Sequence, residues 1–142
     1  MSDGTTPQTP IELMIEEDRK LLQRLDPLEA QVALEHGGVI VDTRSHEQRV
    51  DCGVIPGSIR IHRNVLEWRV DPSSGWYDER FDAYEGPLIV MCQEGYSSSM
   101  AAATLQRLGF TRATDLAGGF EAWAAAGLPV APYREGESGV HS

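Results

Sequence analysis

The sequence predicts an α/β domain built on a parallel sheet with helices on both faces. Short apolar runs rich in β-branched residues, at 39–41 and 88–91, are bounded by turn residues and read as buried strands. Segments with helical spacing and capping residues lie between and after them. Alternating strands and helices place successive strands parallel in one covered sheet. A length of 142 residues suits one such domain, and 41% apolar residues can fill its core without a disulfide or a metal.

Residues 1–10 are polar, carry two prolines and read as a disordered tail. Residues 11–24 form a helical extension; Ile11, Met14, Ile15, Leu21, Leu22 and Leu25 recur at near-helical spacing, which predicts a helix over 11–25. Asp26 is the expected N-cap of a helix over 27–36, with Pro27 at its first position and Glu29 at its third. That helix stops at Gly37-Gly38, and the strand Val39-Ile40-Val41 follows. Next come a polar helix over 45–50, a turn at 53–57, a strand at 58–61, a helix over 65–70 and a loop at 71–75. Leu88-Ile89-Val90-Met91 is the strongest strand in the chain. An alanine-rich helix over 97–108 ends at Gly109, a strand spans 113–116, and a last helix over 120–126 ends at Gly127 with Pro129 beyond. The domain proper is expected over 25–131, with a polar tail at 132–142.

Composition narrows the function. A formal net charge of −10 provides no basic patch, so neither nucleic acid nor an anionic membrane is expected as a partner. No stretch is apolar enough to span a bilayer, and the N-terminus lacks a signal core, which makes the cytoplasm the expected compartment. The four histidines, His36, His46, His62 and His141, are scattered, and no Cys/His cluster has metal-ligand spacing, so no metal or cofactor is expected. Cys52 and Cys92 are the two cysteines. Spacing leaves a disulfide between them open, while a reducing cytoplasm favours a single reactive thiol.

Chemistry concentrates at 88–100. Cys92 ends the strongest strand, a short loop with Gly95 follows, and a helix begins near Ser97. In parallel sheets the functional site lies at the carboxyl ends of the strands, where Asp42 also falls. Successive loop N–H groups can point at one centre, and a helix N-terminus adds unpaired N–H groups and partial positive charge. A thiolate placed there has a lowered pKa and is nucleophilic at neutral pH. Ser97, Ser98 and Ser99 suit the start of the helix. The plainer alternative is a small buried thiol with no reactivity.

The stretch from 25 to 129 resembles a rhodanese domain. Val39-Ile40-Val41-Asp42-Thr43-Arg44 is similar to that family's first core strand and its Asp-x-Arg signature. Gly53-Val54-Ile55-Pro56-Gly57-Ser58-Ile59 is similar to its Pro-Gly turn, and 88–98 to its active-site strand and loop. Leu108-Gly109-Phe110 closes the next helix at the family's usual distance from the cysteine. Leu116-Ala117-Gly118-Gly119-Phe120-Glu121-Ala122-Trp123, then Gly127-Leu128-Pro129, is similar to its C-terminal signature. The resemblance implies a five-stranded parallel sheet and Cys92 as the catalytic residue, within an active-site loop of Gln93, Glu94, Gly95, Tyr96, Ser97 and Ser98. It implies sulfur transfer: a small donor such as thiosulfate or a polysulfide gives a sulfane sulfur to Cys92, and the persulfide passes it to a thiol, on a small molecule or a protein, or to cyanide. The alternative is a catalytically silent binding or regulatory domain on the same fold.

The chain departs from the family pattern at several points. Ser97 stands where an Arg is usual, and Glu94 adds a negative charge, which puts thiosulfate as donor in question. Val54 and Ser58 replace the His and Ala of the Pro-Gly turn. His62, Arg63 and Arg69 are candidates to replace the missing charge, against the plainer reading of ordinary solvated cations. Cysteine phosphatases need Cys-x5-Arg, and that Arg would fall at Ser98, so phosphate and arsenate chemistry are disfavoured.

Asp42 and Arg44 are expected to brace the loops, Arg44 by pairing with Glu47 or another acid. Gly118-Gly119 is read as a turn into the last helix, and Phe120 and Trp123 as core residues. Trp68 is read as a half-buried framework residue or a pocket wall. Tyr96 is expected exposed, where it could shape acceptor access. Cys52 is expected as an exposed thiol in a surface turn, with a resolving role toward Cys92 as the alternative.

Overall fold

A computed structural model describes residues 7–135. Its central sheet comprises β1 (Val39–Asp42), β2 (Ile59–Arg60), β3 (Leu88–Met91) and β4 (Ala113–Asp115), all parallel, in the order β2-β1-β3-β4. The helices are α1 (Pro10–Arg19), α2 (Pro27–Glu35), α3 (His46–Cys52), α4 (Leu66–Val70), α5 (Ser97–Arg107) and α6 (Gly119–Ala125), with 3-10 turns at Arg63–Val65 and Glu79–Ala83.

Side-chain alternation along the strands divides the core in two. Val39, Val41, Leu88 and Val90 face one side and pack with Leu66, Phe81 and Leu105. Ile40, Ile89 and Met91 face the other and pack with Ala30, Phe120 and Trp123. Thus α4 and α5 cover one face of the sheet, and α2 and α6 the other. Burial of these apolar side chains supplies the main drive to fold, roughly 1.5–3 kcal/mol for each large one.

The sheet has four strands, not five. The segment that would add the fifth makes a single parallel bridge, Leu25 to Leu116. Asp26 caps α2 and Pro27 starts it, so the chain turns helical two residues after the bridge. On the other side, the Gln23 carbonyl accepts the Thr114 hydroxyl rather than a ladder N–H. The helix expected over 11–25 ends at Arg19 for the same reason: the chain breaks at Lys20 and Leu21 to bring Leu25 to the sheet edge.

Local signals account for three of the six helix starts among the described residues. Thr9 with Glu12, Asp26 with Glu29, and Ser45 with Gln48 each form a reciprocal capping box. The tail expected at 1–10 falls on residues 1–6, outside the described residues, and on the start of α1, where Thr9 is the cap and Pro10 the first turn. Of the tail at 132–142, residues 136–142 lie outside the described residues, and Tyr133 meets His46 edge-on at 5.2 Å. Among the described residues no helix is long and apolar enough to cross a membrane.

Candidate active site

β1 and β3 are paired so that Asp42 stands opposite Met91. The chain leaves β1 toward β2 on one side, while β3 is followed by β4 on the other, so the order of the sheet reverses between them. Crevices at such reversals receive ligands in open α/β sheets. Cys92 is the first residue past β3 at this point, and Thr43 ties the two strand ends by donating N–H and Oγ1 to the Met91 carbonyl, both at 2.9 Å.

The loop from Cys92 to Ser98 curls around its own sulfur. The Gly95 amide donates to Cys92 Sγ at 3.1 Å, and the Ser98 amide donates at 3.4 Å. Ser98 is the second residue of α5, whose N-cap, Tyr96, offers no side-chain cap. The cysteine sulfur therefore fills the acceptor position that a capping oxygen usually fills. Burial pushes the thiol pKa up; the polar groups of Ser98 and Ser97 at the helix start and the Gly95 amide outweigh it, and the net shift is downward. Cys92 is 7% exposed, so the sulfur is recessed yet not sealed from water.

Two glycines permit this curl. Gly95 lies at φ +91°, and a Cβ there would sit 2.7 Å from the Gly118 nitrogen. Gly119 lies at φ +64°, and its Cβ would sit 2.6 Å from the Cys92 carbonyl oxygen. The close approach lets Phe120 N–H donate to the Cys92 carbonyl at 2.9 Å and Glu121 N–H to the Gln93 carbonyl at 3.1 Å. The start of α6 thus fixes the carbonyls on the outside of the loop while the amides of Gly95 and Ser98 face the sulfur.

Two buried carboxylates brace the rim. Asp42, fully buried, accepts the Arg44 amide, the Arg44 guanidinium at 3.0 and 3.1 Å, and Arg49 Nε at 3.2 Å. Arg44 continues to the Gly53 carbonyl and to Gln93 Oε1, and stacks 4.0 Å above the Phe120 ring. Its acid is thus Asp42, two residues away, rather than Glu47. Asp115, also fully buried, ends β4 and accepts both Ser98 Oγ and Ser99 Oγ at 2.8 Å and Arg24 at 2.8 and 3.1 Å. Arg49, Asp115, Arg19 and Arg24 were not singled out from sequence. Asp115 occupies a strand end just as Asp42 does, and that position was the one available signal.

The remaining expectations separate clearly. Glu94, Tyr96 and Ser97 are exposed, so the Glu94 carboxylate faces solvent. His62 lies 3.2 Å from Arg60, and desolvation and that guanidinium together lower its pKa, which leaves it neutral at pH 7. Arg63 pairs with Glu67, and Arg69 donates to the Trp76 carbonyl. None of the three is held at the Cys92 loop by these contacts. Phe120 and Trp123 are core residues, and Trp68 is 52% exposed. Cys52 is exposed at the end of α3 rather than in a turn, and both cysteines are free. Gln93 Nε2 lies 3.7 Å from its sulfur. Among the described residues no group of three His, Cys, Asp or Glu side chains is placed to hold a metal ion.

Comparisons with known proteins agree with this geometry. The profile of the rhodanese-like domain matches residues 26–126. The thiosulfate sulfurtransferase GlpE of Ectopseudomonas mendocina is 35% identical over 103 residues, which cover 72% of this chain and 85% of that protein. A Rhodopseudomonas palustris protein of unknown function, described as a possible tyrosine phosphatase, superposes with a TM-score of 0.77 at 30% identity over 91% of this chain and 99% of its own. The human single-domain sulfurtransferase TSTD1 shares the fold, with a TM-score of 0.60 at 24% identity over 72% of this chain and 95% of its own. The domain match over most of the chain, together with the GlpE relatives, places the chain in the rhodanese-like domain family.

Proposed function

We propose that the protein is a sulfurtransferase that carries sulfane sulfur on Cys92 as a persulfide. The observation that carries this reading is the pair of amides, Gly95 and Ser98, aimed at one recessed sulfur. Such a cradle stabilises a negative charge on sulfur and leaves little room for a bulky group. The relatives named thiosulfate sulfurtransferase support the same chemistry.

The Cys92 thiolate attacks the outer sulfur of a donor such as thiosulfate or a polysulfide. A Cys92 S–S bond forms, the donor's own S–S bond breaks, and the leaving sulfur species departs with the electron pair as sulfite or a shortened polysulfide. An acceptor thiolate or cyanide then attacks the outer sulfur of the persulfide, and the Cys92 thiolate is the leaving group. The enzyme returns to its starting state without a cofactor. The acceptor is a thiol of a small molecule or protein, and the compartment is the cytoplasm, where acceptor thiols stay reduced.

Phosphate transfer fits less well. The sixth residue after Cys92 is Ser98, whose hydroxyl is committed to Asp115, so no guanidinium forks onto phosphoryl oxygens from that position. Intact-mass measurement after incubation with thiosulfate, polysulfide or 3-mercaptopyruvate tests the proposal. A single-sulfur adduct should form and be lost in Cys92→Ser. The absence of an adduct with every donor would favour a silent binding domain.

A further inference from the structure

We propose that Arg19, delivered by α1 from outside the rhodanese frame, is a positioning residue for the Cys92 loop and supplies the charge that Ser97 lacks. The proposal rests on the reading of Cys92 as the sulfur carrier. Arg19 Nη2 and Arg24 Nη2 converge on one carbonyl, that of Gly95, at 2.8 and 2.9 Å. Arg19 Nε also donates to Ser99 Oγ at 3.0 Å.

The Gly95 carbonyl matters because of where it sits. Glycine admits several peptide orientations, so the loop needs an external constraint to keep its amides on the sulfur. A planar trans peptide holds its C=O and N–H on opposite sides, so clamping the Gly95 carbonyl fixes the orientation of the 95–96 peptide. The preceding amide is the one that meets Cys92 Sγ. Two charge-assisted hydrogen bonds on one carbonyl make that clamp strong.

The two arginines differ in charge balance. Arg24 is neutralised by the buried Asp115. Among the described residues Arg19 forms no ion pair; its contacts are a carbonyl, a hydroxyl and the Tyr96 ring at 5.7 Å. The acids on its own helix near this edge are engaged elsewhere: Glu12 caps Thr9 and Glu16 takes the Gln8 amide. Across the loop, Glu94 points to solvent, and Asp42 is shared by Arg44 and Arg49. Arg19 is therefore a cation beside the loop held by neutral groups, with the carboxylates of Glu12 and Glu16 on the same pocket wall. The helix that carries it is anchored on α5 by the 2.6 Å pair of buried Asp18 with Arg107.

Arg19→Gln, Arg19→Lys and the exposed control Lys20→Gln separate positioning from mere tethering. The readouts are the single-turnover rate of sulfur uptake from thiosulfate, the pH midpoint of Cys92 alkylation and the melting temperature. Arg19→Gln should slow sulfur uptake about tenfold and raise the alkylation midpoint toward that of a free thiol. Arg19→Lys, which restores charge but not the paired contacts, should recover part of both, and Lys20→Gln should match wild type. An unchanged rate and midpoint in Arg19→Gln, with or without a lower melting temperature, would overturn the proposal. If wild type takes up no sulfur at all, the sulfur-transfer reading fails instead, and the alkylation midpoints still decide the role of Arg19; should Arg19→Gln not fold, the Arg19→Lys midpoint decides it.

Discussion

Arg24 grips the fully buried Asp115 carboxylate with hydrogen bonds of 2.8 and 3.1 Å, joining the approach to α2 with the end of β4. The same carboxylate holds the hydroxyls of Ser98 and Ser99, so the start of α5 is fixed by a residue 16 or 17 positions away. Removing one partner of a buried charge pair leaves the other uncompensated. Asp115→Asn should cost about 2–3 kcal/mol in urea unfolding, toward the lower end for a buried pair because Arg24 is partly exposed. It should also slow Cys92 alkylation at neutral pH. A loss of stability with unaltered alkylation would show that the Asp115 network does not reach the thiol.

Asp42 carries the opposite rim with two arginines, both nearly or fully buried. Asp42→Asn should destabilise by about 3–5 kcal/mol, and Arg44→Met by a similar amount. The double variant should be much less destabilised than the sum of the two, since it leaves no unpaired charge between these positions. Additive effects in a double-mutant cycle would contradict the direct coupling of Asp42 with Arg44.

Gly119 and Gly127 share a positive φ but not a neighbourhood. A Cβ at Gly127 meets nothing within 4 Å, whereas one at Gly119 would press on the backbone of Cys92 and Gln93. Gly127→Ala should cost about 1–2 kcal/mol from the left-handed backbone alone. Gly119→Ala should cost more and should slow sulfur uptake, because the Cys92 loop must shift. Equal melting temperatures and equal rates for the two variants would rule out the close packing of α6 on the loop.

Ser97→Arg adds a cation at the start of α5. In an Arg19→Gln background, where the Arg19 charge is removed, uptake from thiosulfate should rise about tenfold, well beyond any gain with a neutral sulfur donor. An equal change for both donors would show that charge does not set donor choice.

The site was legible in the sequence where its logic is local. A β-branched run ending in Cys92, a glycine three residues on and a serine-rich helix start sufficed to place a thiol among loop amides. Asp42 at a strand end was legible by the same rule. The contacts that span the chain were not. Arg19 and Arg24 lie 76 and 71 residues from Gly95, and no local periodicity signals where either arginine reaches. The charge missing at Ser97 was sought in His62, Arg63 and Arg69, which share the domain, whereas Arg19 arrives from the segment before it. The four-stranded sheet has a related cause: a cap and a proline, Asp26 and Pro27, stop the edge segment after one bridge.

Converging amides have a consequence for pH. The lowered folded-state pKa of Cys92 means that its thiolate adds stability above the unfolded thiol's pKa, and this contribution fades as pH falls through the folded value. The stability difference between wild type and Cys92→Ser should therefore increase with pH across that window. The most direct measurement is the rate of Cys92 alkylation by iodoacetamide against pH, followed by mass in a Cys52→Ser background. A midpoint clearly below that of a free thiol, about 8.5, is the result expected of a sulfur held by the Gly95 and Ser98 amides; a midpoint at or above it would contradict the cradle as the basis of reactivity.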